Sequence, residues 1–197
     1  MRAGLITEIT KTSGDWVFVD VGFSRDKKTG GLLVNDGTPV ALTFSDLRRQ
    51  LVELSSKPGL PMNLVLEAPL SAAFTGSGNP AGRSMERSGK DHRYWYAGLG
   101  CQVTIAAAYL LRGILESNIR REIRVFEAFV SFKSKESASS HTQDVRNMRS
   151  VAWHEADHIG RVISPDALLG PDARTIESAF KVFGFNCGIP PVILAGA

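Results

Sequence analysis

Cysteine is nearly absent from this 197-residue chain. The two that occur, Cys101 in a helical pattern and Cys187 near the C-terminus, have neither the number nor the spacing of a disulfide framework or a zinc knuckle. Both are expected to be buried thiols. Long apolar runs are also missing: no stretch reads as long enough to cross a bilayer, and "MRAGLITEITKTSGDW" lacks the basic-then-apolar pattern of a signal peptide. The expectation is a soluble, cytoplasmic protein with no membrane partner. Charge is close to balanced, with 23 Lys and Arg against 20 Asp and Glu. The resulting net charge of +3 and pI near 9.0 are compatible with a polyanionic partner but do not require one.

At 43% hydrophobic, the chain has apolar sequence enough for one core, so a single domain over 1–197 is expected, with a C-terminal extension from about 165. Trp16 to Phe23, in "DWVFVDVGF", reads as a buried strand because it is rich in β-branched and aromatic residues. Two shorter apolar runs, 32–34 and 40–42, flank Asn35-Asp36-Gly37, which is hairpin-turn chemistry. A three-strand meander follows from this. "SDLRRQLVELSS" has helical spacing behind an N-cap at Ser45, and "MNLVLEAPLS" reads as a fourth strand. "AAFTGSGNPAGRSMERSGKDHR" has no apolar period and is expected to be a long exposed loop. A long helix, a fifth strand in "IRVFEAFVSF", the polar "KSKESASSHTQD", a further helix, a short helix in "RTIESAFKVFGF" and the apolar "CGIPPVILAGA" complete the order. That tail either closes the monomer or forms a homodimer contact.

Two acids stand where burial makes a charge expensive. Asp20 lies inside "VFVDVGFS" and Glu67 ends "LVLE", so each needs a partner or a metal to offset desolvation. Carboxylates at strand ends suit phosphodiester hydrolysis by two divalent ions about 3.5–4 Å apart. Glu127, in "RVFEAFVSF", either approaches such a site or pairs with a base such as Arg124. In "VAWHEADHIGRVI", His154 and Asp157 are spaced i, i+3 and would share one helix face.

These motifs carry a resemblance. "FVDVGFSRDKKTGGLLV", "LVLEAP" and "HEADHIGRVI" resemble the first-strand Asp, fourth-strand Glu and closing-helix ligand pair of RuvC-like Holliday-junction resolvases and related ribonuclease H-like nucleases. The element order is similar to theirs as well. The resemblance implies a three-layer α/β fold whose mixed five-stranded sheet, a three-strand meander plus two further strands, is flanked by helices. It also implies a nuclease with a Mg or Mn site of two ions held by Asp20, Glu67 and Asp157, with His154 as fourth ligand or proton-transfer group. The loop from Ser24 to Thr29 is longer than the resolvase turn, and "AGRSMERSGKDHRYWY" has no resolvase counterpart.

The same letters spell the zinc-protease signature His154-Glu155-x-x-His158, with Glu177 available as third ligand, so a zinc peptidase is the alternative. A non-catalytic nucleic-acid or nucleotide-binding module is the other. A helical wheel clusters Met148, Val151, Ala152, Ile159, Val162 and Ile163 on one arc with Glu155 in its middle, which makes Glu155 a further candidate to meet Asp20. Arg83, Arg87, Lys90 and Arg93, interleaved with Gly and Ser and followed by Tyr94, Trp95 and Tyr96, are expected to contact nucleic-acid phosphates.

Overall fold

The computed structural model describes every residue except 23, 25, 89–90, 93, 96–97, 131–139, 157–158 and 197. In chain order the strands and helices are β1 (Arg2–Ala3), β2 (Asp15–Asp20), β3 (Gly30–Val34), β4 (Val40–Leu42), α1 (Phe44–Ser56), β5 (Met62–Glu67), β6 (Ser71–Phe74), β7 (Pro80–Ala81), β8 (Arg87–Ser88), β9 (Asp91–His92), α2 (Gly98–Leu115), β10 (Ile123–Val130), α3 (His141–Ala152), β11 (Gly160–Ile163), β12 (Thr175–Ser178) and β13 (Val192–Ala195).

The meander forms as its turn chemistry requires. Asn35 takes the left-handed backbone (φ 52°) that Asn tolerates, and its side-chain oxygen accepts from the Trp16 amide at 2.7 Å. Helix α1 begins at Thr43, whose hydroxyl accepts from the Asp46 amide, two residues before the expected cap.

The main sheet is mixed, in the order β11-β13-β10-β5-β2-β3-β4, with β1 also paired to β10. It has eight strands rather than the expected five. The reason lies in β10, which is buried along nearly all of its length and cannot leave an edge of unpaired amides. Beyond β5 its second edge is taken by β1 at Arg124 and Val125, and by β13 from Glu127 to Val130, both parallel. The C-terminal tail is therefore an internal strand, enclosed on its far side by antiparallel β11.

Alternation along β2 and β5 splits the core. Val17, Val19, Leu64 and Leu66 face α1 and α2, while Trp16, Phe18 and Val65 face α3. Helix α2 is long and apolar enough to span a membrane by length and composition, contrary to the sequence expectation, but half of it is buried inside the fold, on the core shared with α1. Cys187 is buried as expected, whereas Cys101 faces outward on α2.

Two further expectations change. The region from Ala72 is not an open loop: β6 pairs with β12 on one edge and β7 on the other in a second, three-stranded sheet, and β8 pairs with β9. The segment "RTIESAFKVFGF", expected as one helix, is β12 followed by a 3-10 turn over Ala179–Phe183.

Candidate metal centre

Asp20 and Glu67 are the last residues of two adjacent parallel strands, and they are register partners. Parallel neighbours in register point to the same face, here the one covered by α3. Asp20 is largely buried, and what reaches it comes from the first turn of that helix. His141 Nδ1 lies 2.6 Å from Asp20 Oδ2, and Asp144, fully buried, stands one turn along. Ligand atoms of Asp20, His141 and Asp144 all lie within 4.8 Å of one another.

Local sequence explains the convergence. Ser140 caps α3, its hydroxyl accepting from the Gln143 amide, so the helix starts at His141 and turns residues 141 and 144 to one side. Val145, Met148, Val151 and Ala152 then seat it on the sheet. Gly31 lies opposite Asp20 on β3. A Cβ there would collide with the His141 carbonyl and come within 3.2 Å of Val145, so only glycine lets the helix approach this closely.

The structure thus sets Asp20 and Glu67 side by side in strand register, and brings Asp20 together with a His-x-x-Asp pair, His141 and Asp144, other than the expected one. Asp157 and His158 lie outside the described residues. Helix α3 ends at Ala152, and His154 sits in the turn beyond it with φ 52°. From His141 to Ala152 the helix runs about 17 Å along its axis, placing His154 at the far end from the acids. Glu155 is also at that end: it accepts from Ser150 Oγ at 2.6 Å and lies 3.3 Å from Arg149 Nε, instead of meeting Asp20. Helix α3 ends before the first histidine of the His-Glu-x-x-His stretch, so His154 does not stand on a helix as the zinc-protease signature requires. Glu177, the proposed third zinc ligand, pairs with Lys181 on the surface.

A signal for the His141 and Asp144 pair was in the sequence. "SHTQDVRNM" has the same His-x-x-Asp spacing behind a capping serine, and on the wheel Asp144 falls on the apolar arc with Met148 and Val151. An acid on the buried face of a helix is the more telling position.

The basic loop divides. Arg87 is exposed, whereas Lys90 and Arg93 lie outside the described residues. Arg83 is not a surface cation at all: its side chain is fully buried, with Glu86 Oε1 at 2.9 Å and Glu127 Oε2 at 2.8 Å. Glu127 therefore pairs with Arg83 rather than Arg124, which instead joins Glu122 and Glu8. Burial works against the Arg83 charge, but Glu127 and Glu86 outweigh it and hold its pKa above the ordinary value. Burial raises the pKa of Glu127 despite that guanidinium. Tyr94 completes the cluster. Its ring stands 4.1 Å from that of Phe129 and 5.6 Å from the Arg83 guanidinium, and its hydroxyl donates to the Ala128 carbonyl at 3.0 Å. Burial pushes the Tyr94 pKa well above its usual value, and the Glu127, Glu67 and Glu86 charges push the same way.

Comparison with protein-family models, curated proteins and solved structures returns no match.

Proposed function

We propose that this chain is a divalent-metal-dependent nuclease, or a closely related phosphodiesterase, built on a ribonuclease H-like fold. The observation that supports the reading most strongly is the convergence of Asp20, His141 and Asp144 beside Glu67 at one end of the central strands. The strand order β4-β3-β2-β5-β10, an antiparallel meander continued by two parallel strands, agrees with that fold. The donor set suits magnesium or manganese, since three of its four groups are hard carboxylate oxygens and the imidazole is acceptable to manganese.

In this reading Asp20, Glu67 and Asp144 hold the ions, and His141 is either the fourth ligand or a proton carrier. Bound ions supply the activation of a water and the stabilisation of the leaving oxygen. Asp20 also orients His141 through the 2.6 Å contact to Nδ1, which fixes the ring at the edge of the site where it is 43% exposed. Gly31 keeps both α3 ligands at their distance from Asp20. Arg87, at the start of β8, remains a candidate for phosphate contact.

The test is Asp20→Asn, assayed on single-stranded, duplex and branched DNA and RNA with Mg2+ or Mn2+. The expected outcome is loss of cleavage and of Mn2+ binding with an unchanged near-UV circular dichroism spectrum. Cleavage by the Asn variant at the rate of the unmodified protein would remove the reading.

A further inference from the structure

The buried cluster of Arg83, Glu86, Glu127 and Tyr94 borders the metal centre without belonging to it. It is an unusual thing to bury. One guanidinium faces two carboxylates, each in an environment where an apolar packing of the same volume would often be as stable or more so. Its contacts run to the chain segment that follows Glu67 and to the strand beside it. Glu127 Oε2 accepts from the Leu70 amide at 2.9 Å, three residues beyond Glu67. Arg83 Nη1 donates to Ser71 Oγ at 2.9 Å while also holding Glu127. The chain leaving Glu67 is thus pinned at two successive residues. On the other side, Tyr94 donates to the carbonyl of Ala128, the residue of β10 in register with Glu67. Glu86 in turn accepts from the Arg83 amide at 2.9 Å and from its side chain, which fixes the guanidinium itself.

We propose that Arg83, Glu127 and Tyr94 are positioning residues for Glu67, an inference that rests on the metal-centre reading above. Glu67 ends a strand, and a strand-terminal carboxylate has backbone support on one side only. The cluster supplies the other side by anchoring the exit loop and the neighbouring strand to one rigid buried ion group. A carboxylate on a backbone anchored this way keeps its geometry toward the site, which is how outer partners tune a metal ligand.

The experiment is a Mn2+ titration followed by the paramagnetic resonance of the free ion, on the full chain and on Tyr94→Phe, Glu127→Gln, Glu67→Gln and the two double variants with Glu67→Gln. Tyr94→Phe removes only a hydroxyl and keeps the ring on Phe129, so it tests the idea even where Glu127→Gln does not fold. Expected are losses of about tenfold in Mn2+ affinity for Tyr94→Phe and Glu127→Gln. Neither should weaken binding further once Glu67 is already Gln, because both act through it. Unchanged affinity in the single variants, or losses that add to that of Glu67→Gln, overturns the inference and leaves the metal centre standing. A full chain that binds no Mn2+ overturns the metal-centre reading and this inference together.

Discussion

Gly31 controls the distance between the two halves of the site. The acids on β2 and β5 are placed by the sheet, those on α3 by a helix, and the gap between them is set where the helix crosses β3. Gly31→Ala would put a methyl group against the His141 carbonyl and Val145. Backbone cannot yield there as a flexible side chain could, so the helix start must lift. Overpacking of this kind costs about 1–3 kcal/mol. The expected outcome is a lowered melting temperature together with weakened Mn2+ binding, whereas a stability loss with full affinity would mean that the site does not depend on this contact. Asp20 and Glu67 were legible in the sequence because an acid in an apolar strand is visible without knowing its neighbours. The helical pair was harder to read. Two His-x-x-Asp spacings occur within about one helix length, and choosing between them depended on where α3 begins and ends, which Ser140 and the turn at His154 decide.

Among the elements, the central strands and helices α1 and α2 follow from periodicity and capping, whereas α3 starts earlier than expected and stops at Ala152, with strand β11 where the wheel continued the helix to Ile163, and the other pieces that were misread are those whose partners are distant. β6, β7 and β12 are too short to show alternation, and they become strands only by pairing with one another. β1 is shorter still. Its two residues reach β10 through one edge, and it is held by an ion network: Arg2 pairs with Glu8 at 2.5 Å and Glu122 at 2.8 Å, and Arg124 pairs with the same two acids. The Arg2 hydrogen bond, reinforced by the Leu5 amide, holds the Glu8 pKa below the ordinary glutamate value of 4.5, and Arg124 does the same for Glu122. A carboxylate whose pKa is lowered by folding stabilises the fold above its unfolded value, and that contribution is lost as pH falls through the lowered one. Docking of β1 should therefore loosen below about pH 4.5. Hydrogen exchange at Ala3 and Gly4, corrected for intrinsic rate, is expected to report more frequent opening as pH falls from about 6 to about 3. Glu8→Gln should open more often at the higher pH and lose much of the dependence. An opening frequency constant with pH would mean that the ladder to Val125 and Cys187, not the ion network, holds the strand.

For the molecule as a whole, the last stretch of sequence is an interior strand of the main sheet. β13 lies between β10 and β11, with Val192, Ile193 and Ala195 wholly buried, and the Pro191 carbonyl accepts from the Glu127 amide at 3.3 Å. Nothing local in "GIPPVILAGA" distinguishes an edge strand from an interior one; its prolines precede the strand, where they take no amide out of the ladder. Ending the chain after Gly188 would expose the β10 edge from Glu127 to Val130 and leave β11 unpaired. Burying a Val or Ile side chain contributes about 1.5–3 kcal/mol, so losing two of them and the two ladders removes an amount comparable with the whole net stability of a domain, about 5–15 kcal/mol. The truncated chain is expected to lose its cooperative thermal transition and to bind a hydrophobic dye, and, with Glu127 no longer seated, to lose Mn2+ affinity as well. A cooperative melt within a few degrees of the full chain would show that the sheet closes without β13, and that β10 finds its second edge elsewhere.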